Sequence, residues 1–193
     1  MKLFGVTCDM KWKNSQKTWG GVSITLHWVT ALTVVGLFCL GLWMTDLTYY
    51  SDWYKTAPFI HKSIGGLLFI VMLFRLLWRM TDNKPKPLAT HTKSERIMAH
   101  LAHIALYVLI FAIFISGYLI STADGRAISV FNLFEVPALP FAFDKQEDIA
   151  GFIHYYLALG VIALASLHGF AALKHHFVDK DNTLNRMIGR MKK

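Results

Sequence analysis

The chain has 193 residues, 54% of them hydrophobic, and a formal net charge of +8. The apolar residues gather into four long runs with nearly all the charge between them, which argues against a water-soluble domain and leaves room for one membrane domain. The basic residues flank these runs without forming a face of their own, which argues against nucleic acid. The two cysteines, Cys8 and Cys39, lie at different expected depths and make neither a disulfide framework nor a thiolate metal site.

Residues 1–21 read as a polar leader carrying Lys2, Lys11, Lys13 and Lys17. It lacks the compact apolar core of a cleaved signal, so it is expected to remain at the cytoplasmic side. A helix needs about 20 apolar residues to cross the hydrocarbon core. The first predicted span runs from Val22 to Met44 and the second from Ile60 to Trp78. A connector from Thr81 to Thr92 follows, extended at Lys84-Pro85-Lys86-Pro87. The third span runs from Ile97 to Ser121. The long loop from Thr122 to Asp148 opens with the turn-like Asp124-Gly125 and carries Phe131, Phe134, Phe141 and Phe143. It is expected to lie on the membrane surface or to fold over the bundle as a lid. The fourth span runs from Ile149 to Leu173. The expected organisation is an all-α integral membrane four-helix bundle over 22–177, followed by a basic tail over 178–193. Sixteen Lys and Arg fall in the leader, between Arg75 and Arg96 around the connector, and from Lys174 to the end of the tail, against four (Lys55, Lys62, Arg126 and Lys145) in the other two loops. Excess Lys and Arg mark the cytoplasmic side, so both termini are expected there. Trp19, Trp28, Trp43, Trp53 and Trp78 fall near span ends, as an aromatic belt does.

Four of the nine histidines, His27, His61, His154 and His168, lie inside these spans or at their ends. A lone membrane histidine bridges helices by a hydrogen bond about as readily as it serves a site, but ionisable groups there are costly. Depth sorts these four. His27 and His168 fall near the inner ends of the first and fourth spans, and His61 and His154 near the outer ends of the second and fourth. His154 and His168 are fourteen residues apart, about four turns and roughly 21 Å of rise, on nearly one helix face. Two cofactors stacked across the bilayer, each gripped by two helices, fit that pattern, and haem iron takes axial histidines. A bare metal ion normally adds carboxylate or thiolate ligands, and the four predicted spans hold no Asp or Glu. His100 and His103 start the third span and read as interfacial, with contact to haem propionates or a quinone as the alternative. His91 reads as a solvated loop residue, and His175 and His176 as boundary residues. Arg75 and Arg79 read equally as partners of haem propionates and as snorkelling side chains.

Several fragments are familiar in order and spacing. Ile24-Thr25-Leu26-His27-Trp28 opens the first span and His61-Lys62-Ser63-Ile64-Gly65 the second, which closes with Arg75-Leu76-Leu77-Trp78-Arg79. His100-Leu101-Ala102-His103 starts the third. His154, Leu167-His168-Gly169 and Lys174-His175-His176-Phe177 mark the fourth, before Asp179-Lys180-Asp181-Asn182-Thr183-Leu184. From about Gly20 to Arg190 the chain resembles the prokaryotic cytochrome b561 family of four-helix, di-haem inner-membrane proteins. The resemblance implies two haem b groups, axial ligation by the positions matching His27, His61, His154 and His168, and electron exchange with the quinone pool. The axial pairs expected from depth are His27–His168 and His61–His154.

Three functions follow as expectations. The first is a bacterial inner-membrane cytochrome carrying electrons between ubiquinone or ubiquinol and a periplasmic redox partner. The second is a superoxide:ubiquinone oxidoreductase, an activity known in a relative. The third is a non-redox membrane anchor for a soluble partner. The outer segments hold seven acids (Asp46, Asp52, Asp124, Glu135, Asp144, Glu147 and Asp148) against four bases, which should repel superoxide at long range.

Overall fold

The computed structural model describes residues 12–190. Cys8, Lys2 and Lys11 of the leader and Lys192 and Lys193 of the tail lie outside the described residues. Four long helices dominate: α1 Gly21–Thr45, α2 Thr56–Thr81, α3 Lys93–Ser121 and α4 Gln146–Phe177. A short hairpin, β1 Ile128–Val130 and β2 Phe134–Val136, sits between α3 and α4, and a one-turn helix, α5 Thr183–Met187, closes the chain. Each long helix overruns its predicted span by a few residues at one or both ends, because polar first turns carry on what hydropathy starts. At α3 the extra turn is a capping box, in which Thr92 accepts from the Glu95 backbone N–H while the Glu95 carboxylate takes the Thr92 N–H.

All four helices are long and apolar enough to cross a membrane, with mean hydropathies of 1.8, 1.7, 2.4 and 1.9 in chain order. Their outward faces carry bare apolar side chains such as Leu32, Val108, Ile115, Leu167 and Phe170, all exposed on the isolated chain. Water would penalise such surface by about 25 cal/mol per Å², whereas lipid does not.

The helices form two antiparallel pairs, α1 with α2 and α3 with α4, and the pairs touch less than their members do. Between them lies a small core of Leu68, Met72, Ile110 and Val161, with Val34, Leu37, Tyr107 and Phe114 packed around it. Its place follows from heptad spacing. On α4, Val161 lies seven residues from both His154 and His168; on α2, Leu68 lies seven residues from both His61 and Arg75. Seven residues are about two turns, so each triple keeps to one face. The apolar core therefore occupies mid-depth, with polar side chains above and below.

At one end, here the hairpin face, β1 and β2 pair antiparallel in the register Ile128–Val136, Ser129–Glu135 and Val130–Phe134. Phe131 and Asn132 turn between them with positive φ. The fully buried Ser63 of α2 clips this hairpin down, its Oγ accepting from the Phe131 N–H at 3.0 Å and donating to the Ser129 carbonyl at 3.5 Å. Val130 packs against Gly66, where an added Cβ would come within 3.1 Å of the valine. The hairpin of the 122–148 loop thus folds against the bundle, as the lid expectation has it.

The opposite end, the terminal face, gathers the leader, the α2–α3 connector and the tail. Asn14 donates from its backbone to Asp82 at 3.0 Å and from its side chain to the Asn83 carbonyl at 2.8 Å, and accepts from the Gly20 N–H at 2.7 Å. Gly20 is needed there, because a Cβ would collide with the backbone of Trp12 and Lys13. Arg186 donates to the Lys86 carbonyl at 2.9 Å, and the Trp28 indole to the Met187 carbonyl at 2.8 Å. His91 is not solvated as expected: its side chain is 18% exposed and its Nε2 lies 2.9 Å from Asp181. Helix propensity and hydropathy carry no trace of that tertiary contact.

Candidate functional site

Two histidine pairs flank the apolar core, in the combinations expected from depth. Near the terminal face, His27 of α1 and His168 of α4 have ring centres 6.5 Å apart, with planes at 63°. Near the hairpin face, His61 of α2 and His154 of α4 have ring centres 6.3 Å apart, with planes at 69°. A metal–imidazole bond is about 2.0–2.1 Å, and a ring centre lies roughly 1.1 Å behind its nitrogen, so two imidazoles on opposite sides of one metal have centres about 6.3 Å apart. Both separations suit one iron held between each pair.

The surroundings of the rings also suit a flat macrocycle held by its iron. Gly41 and Gly117 back the hairpin-face pair. A Cβ at Gly41 would sit 3.3 Å from the His61 Cε1, and one at Gly117 would sit 3.2 Å from the His154 Cε1. These glycines therefore let the two rings lean against α1 and α3. The His61 Nδ1 is buried without a protein partner, a state that costs about 1–3 kcal/mol. His154 is better supported, its Nδ1 lying 3.0 Å from the Ser116 Oγ and 3.2 Å from the Ile113 carbonyl. A carbonyl only accepts, so His154 Nδ1 carries the proton and Nε2 is the atom free to ligate. Ser116 is invisible as a site residue in the sequence, because it stands on another helix, 38 positions from its histidine.

The terminal-face pair has different neighbours. Arg75 of α2 places Nη2 3.0 Å from the His27 Nδ1. A guanidinium only donates, so this nitrogen accepts, and the proton of a neutral His27 ring then sits on Nε2. Ligation through Nε2 therefore requires Arg75 to let go of Nδ1, and an acidic group nearby would draw it away. Arg75 and Arg79 both lie 5.7 Å from the centre of the Tyr107 ring, whose hydroxyl is buried without a partner. His103, read from sequence as interfacial, instead packs against His168 with ring centres 4.9 Å apart. That is too close for the two to share one iron from opposite sides. His100 remains exposed.

The charges at the hairpin face add one detail. Arg126 pairs with Asp124, its Nε donating to the carboxylate at 2.6 Å. That side-chain hydrogen bond holds the Asp124 carboxyl below its ordinary range, so the arginine's charge is locally cancelled.

Comparison with known proteins agrees in extent with this bundle. The family described as prokaryotic cytochrome b561 matches residues 18–190. The chain is 50% identical over 181 residues to "Cytochrome b561 homolog 2" of Escherichia coli (strain K12), covering 94% of this chain and 96% of that one. It is 31% identical over 175 residues to "Probable superoxide oxidase CybB" of Yersinia pestis, covering 89% and 96%. It is 26% identical over 169 residues to "Cytochrome b561 homolog 1" of Escherichia coli (strain K12), covering 88% and 96%.

Proposed function

Since the chain belongs to the prokaryotic cytochrome b561 family, whose members are haem-carrying membrane proteins of electron transfer, we propose that it holds two haem b groups and passes electrons between the quinone pool and a redox partner at the hairpin face. The axial pairs are His27–His168 and His61–His154. The observation that carries this reading is the spacing of the ring centres, 6.5 and 6.3 Å, at two depths of one bundle. Haem supplies one-electron chemistry; the chain supplies the rest. α4 presents a ligand at each depth. The Ser116 hydroxyl and Ile113 carbonyl fix the His154 tautomer. Leu68, Met72, Ile110 and Val161 keep the space between the pairs apolar and low in dielectric. Arg75 and Arg79 offer positive charge for propionates near the terminal face. The location is the bacterial inner membrane with the terminal face cytoplasmic, in keeping with the sixteen-to-four bias of Lys and Arg.

The test is a haem count with single-ligand variants. Pyridine haemochrome with a protein assay should give about two haems per chain, in keeping with bis-histidine ligation. His27→Ala should lose mainly the terminal-face haem and His61→Ala mainly the other. Full haem content in both variants sinks the assignment, and no haem in the unaltered chain leaves a membrane anchor as the better reading. Anaerobic mixing with ubiquinol should then reduce the oxidised protein.

A second reading has its own observation, the 31% identity to a relative named as a probable superoxide oxidase. On that reading two superoxides would each give up one electron at the hairpin face and leave as dioxygen, one quinone would take both electrons with two protons, and a haem held by His61 and His154 would supply the one-electron chemistry between them. The excess of acids there and the cancelled charge of Arg126 weigh against it.

A further inference from the structure

Outside the bundle, at the terminal face, a cavity of about 440 Å³ is lined by His91, Glu95, Lys174, His175, Asp179 and Asp181, with Thr90 and Thr92 at its edge. Three potential ligand atoms from separate chain segments converge there. His91 comes from the α2–α3 connector, His175 from the last turn of α4, and Asp181 from the start of the tail. The His91 Nε2 lies 2.9 Å from the Asp181 Oδ2, and the His175 Nδ1 lies 3.6 Å from the same oxygen. The two imidazoles are tilted by 36° with ring centres 4.6 Å apart. Two ligand atoms on a tetrahedral ion with bonds of about 2.0–2.1 Å are about 3.3–3.4 Å apart. The observed separations straddle that value.

The carboxylate is built in rather than draped on the surface. The Asp181 side chain is 3% exposed. Its Oδ1 is occupied by the Thr183 N–H at 2.8 Å, and its own backbone N–H donates to the His175 carbonyl at 3.0 Å. This leaves Oδ2 aimed at the two histidines. The Asp179 Oδ2 lies 2.7 Å from the His175 Nδ1 and 2.7 Å from the Lys174 ammonium, so it could serve as a fourth ligand only by giving up that ion pair. Charge agrees with a dication. The cavity holds three carboxylates (Glu95, Asp179 and Asp181) against one ammonium, Lys174, which gives a net −2 with both histidines neutral.

We propose that His91, His175 and Asp181 form a binding site for a divalent transition cation of the zinc type, which fastens the tail to the α2–α3 connector. Two imidazoles and a carboxylate are the donor set that zinc takes. Each imidazole binds as the neutral ring with its proton on the other nitrogen. The site is separate from the histidines assigned to haem and does not depend on them. The competing account is a hydrogen-bonded clasp only, in which His91 donates to Asp181 and His175 to Asp179.

Zinc itself is the probe. The haem-loaded full chain, without a polyhistidine tag, is stripped with chelator and dialysed against buffered micromolar free Zn²⁺. Elemental analysis should find one zinc per chain beyond any retained by the His91→Gln variant. Zinc-edge X-ray absorption should show two imidazoles and oxygen. His91→Gln and His175→Gln should each weaken binding roughly tenfold or more. His176→Gln and His100→Gln, whose side chains do not reach the cluster, should bind as the unaltered chain does. The haem spectrum of every variant reports whether it has folded, and the absorption measurement on the unaltered chain needs no variant. No retained zinc, retention by His91→Gln or His175→Gln equal to that of the unaltered chain, or an edge spectrum without paired imidazoles overturns the site and leaves the clasp.

Discussion

Hydrogen bonding at Nδ1, the nitrogen away from the proposed iron, distinguishes His154 from His61 more than depth does. His154 Nδ1 has two protein acceptors within 3.2 Å, whereas His61 Nδ1 has none. A ligating imidazole that donates from its far nitrogen becomes a stronger electron donor and favours the oxidised metal. Ser116→Ala leaves only the Ile113 carbonyl, so the potential of the hairpin-face haem should rise while the other stays. The lost bond is worth on the order of 1 kcal/mol, which caps the shift at roughly 40 mV for one electron. Spectroelectrochemical titration of the two haems checks this, and an unchanged pair of potentials would show that the serine does not tune the ligand. Gly117 acts on the same ring by shape. A Cβ there already comes within 3.2 Å of the His154 Cε1, so the branched side chain of Gly117→Val should displace the imidazole and lower haem content toward one per chain. Gly117→Ala, which asks for a shift of a few tenths of an ångström, should keep most of it.

The helices were legible in sequence because hydropathy alone sets a span, and their four apolar runs reappear as α1 to α4. That His27 comes near His168 and His61 near His154 was legible too, since depth and a fourteen-residue spacing are properties of single helices; their ligation of iron is the proposal. What stayed hidden depends on side chains meeting across long stretches of chain. Ser116 meets His154 across 38 positions, Arg75 meets His27 across 48, and His91 meets Asp181 across 90. No periodicity records such meetings. The hairpin was hidden for a further reason: three-residue strands are too short for alternation to show. Its attachment rests on Ser63, one buried hydroxyl serving two backbone groups of the hairpin. Ser63→Ala leaves the Phe131 N–H without its protein partner, at a cost of about 1 kcal/mol. Limited proteolysis between Asp124 and Asp144 should therefore quicken, with the spectrum of the terminal-face haem unchanged. Equal cleavage rates would show that Val130 against Gly66 suffices to hold the lid.

At the scale of the molecule, charge is divided between the two ends, and two expectations depend on that division. Reporter fusions after Met44 and after Ser121 should read as periplasmic; an inside signal at either would reverse the orientation. Superoxide should reduce the oxidised protein slowly, with a rate that added salt leaves alone or raises, because the acids at the hairpin face repel an anion. Stopped-flow mixing that finds near-diffusion-limited reduction slowed by salt would instead establish superoxide as the substrate. The heptad triple on α4, with Val161 midway between two histidines, has an electrical consequence. Its ends are separated by about 21 Å of rise in a hydrocarbon layer about 30 Å thick, so with the two proposed haems held there an electron passing between them would cross roughly two-thirds of the field. Such a transfer would be electrogenic, and the energised membrane would become a third party to the reaction. An imposed potential of 100 mV should displace their relative redox poise by roughly 70 mV, or about 1.6 kcal/mol. Vesicles clamped with a potassium gradient would report that displacement directly in the two haem spectra.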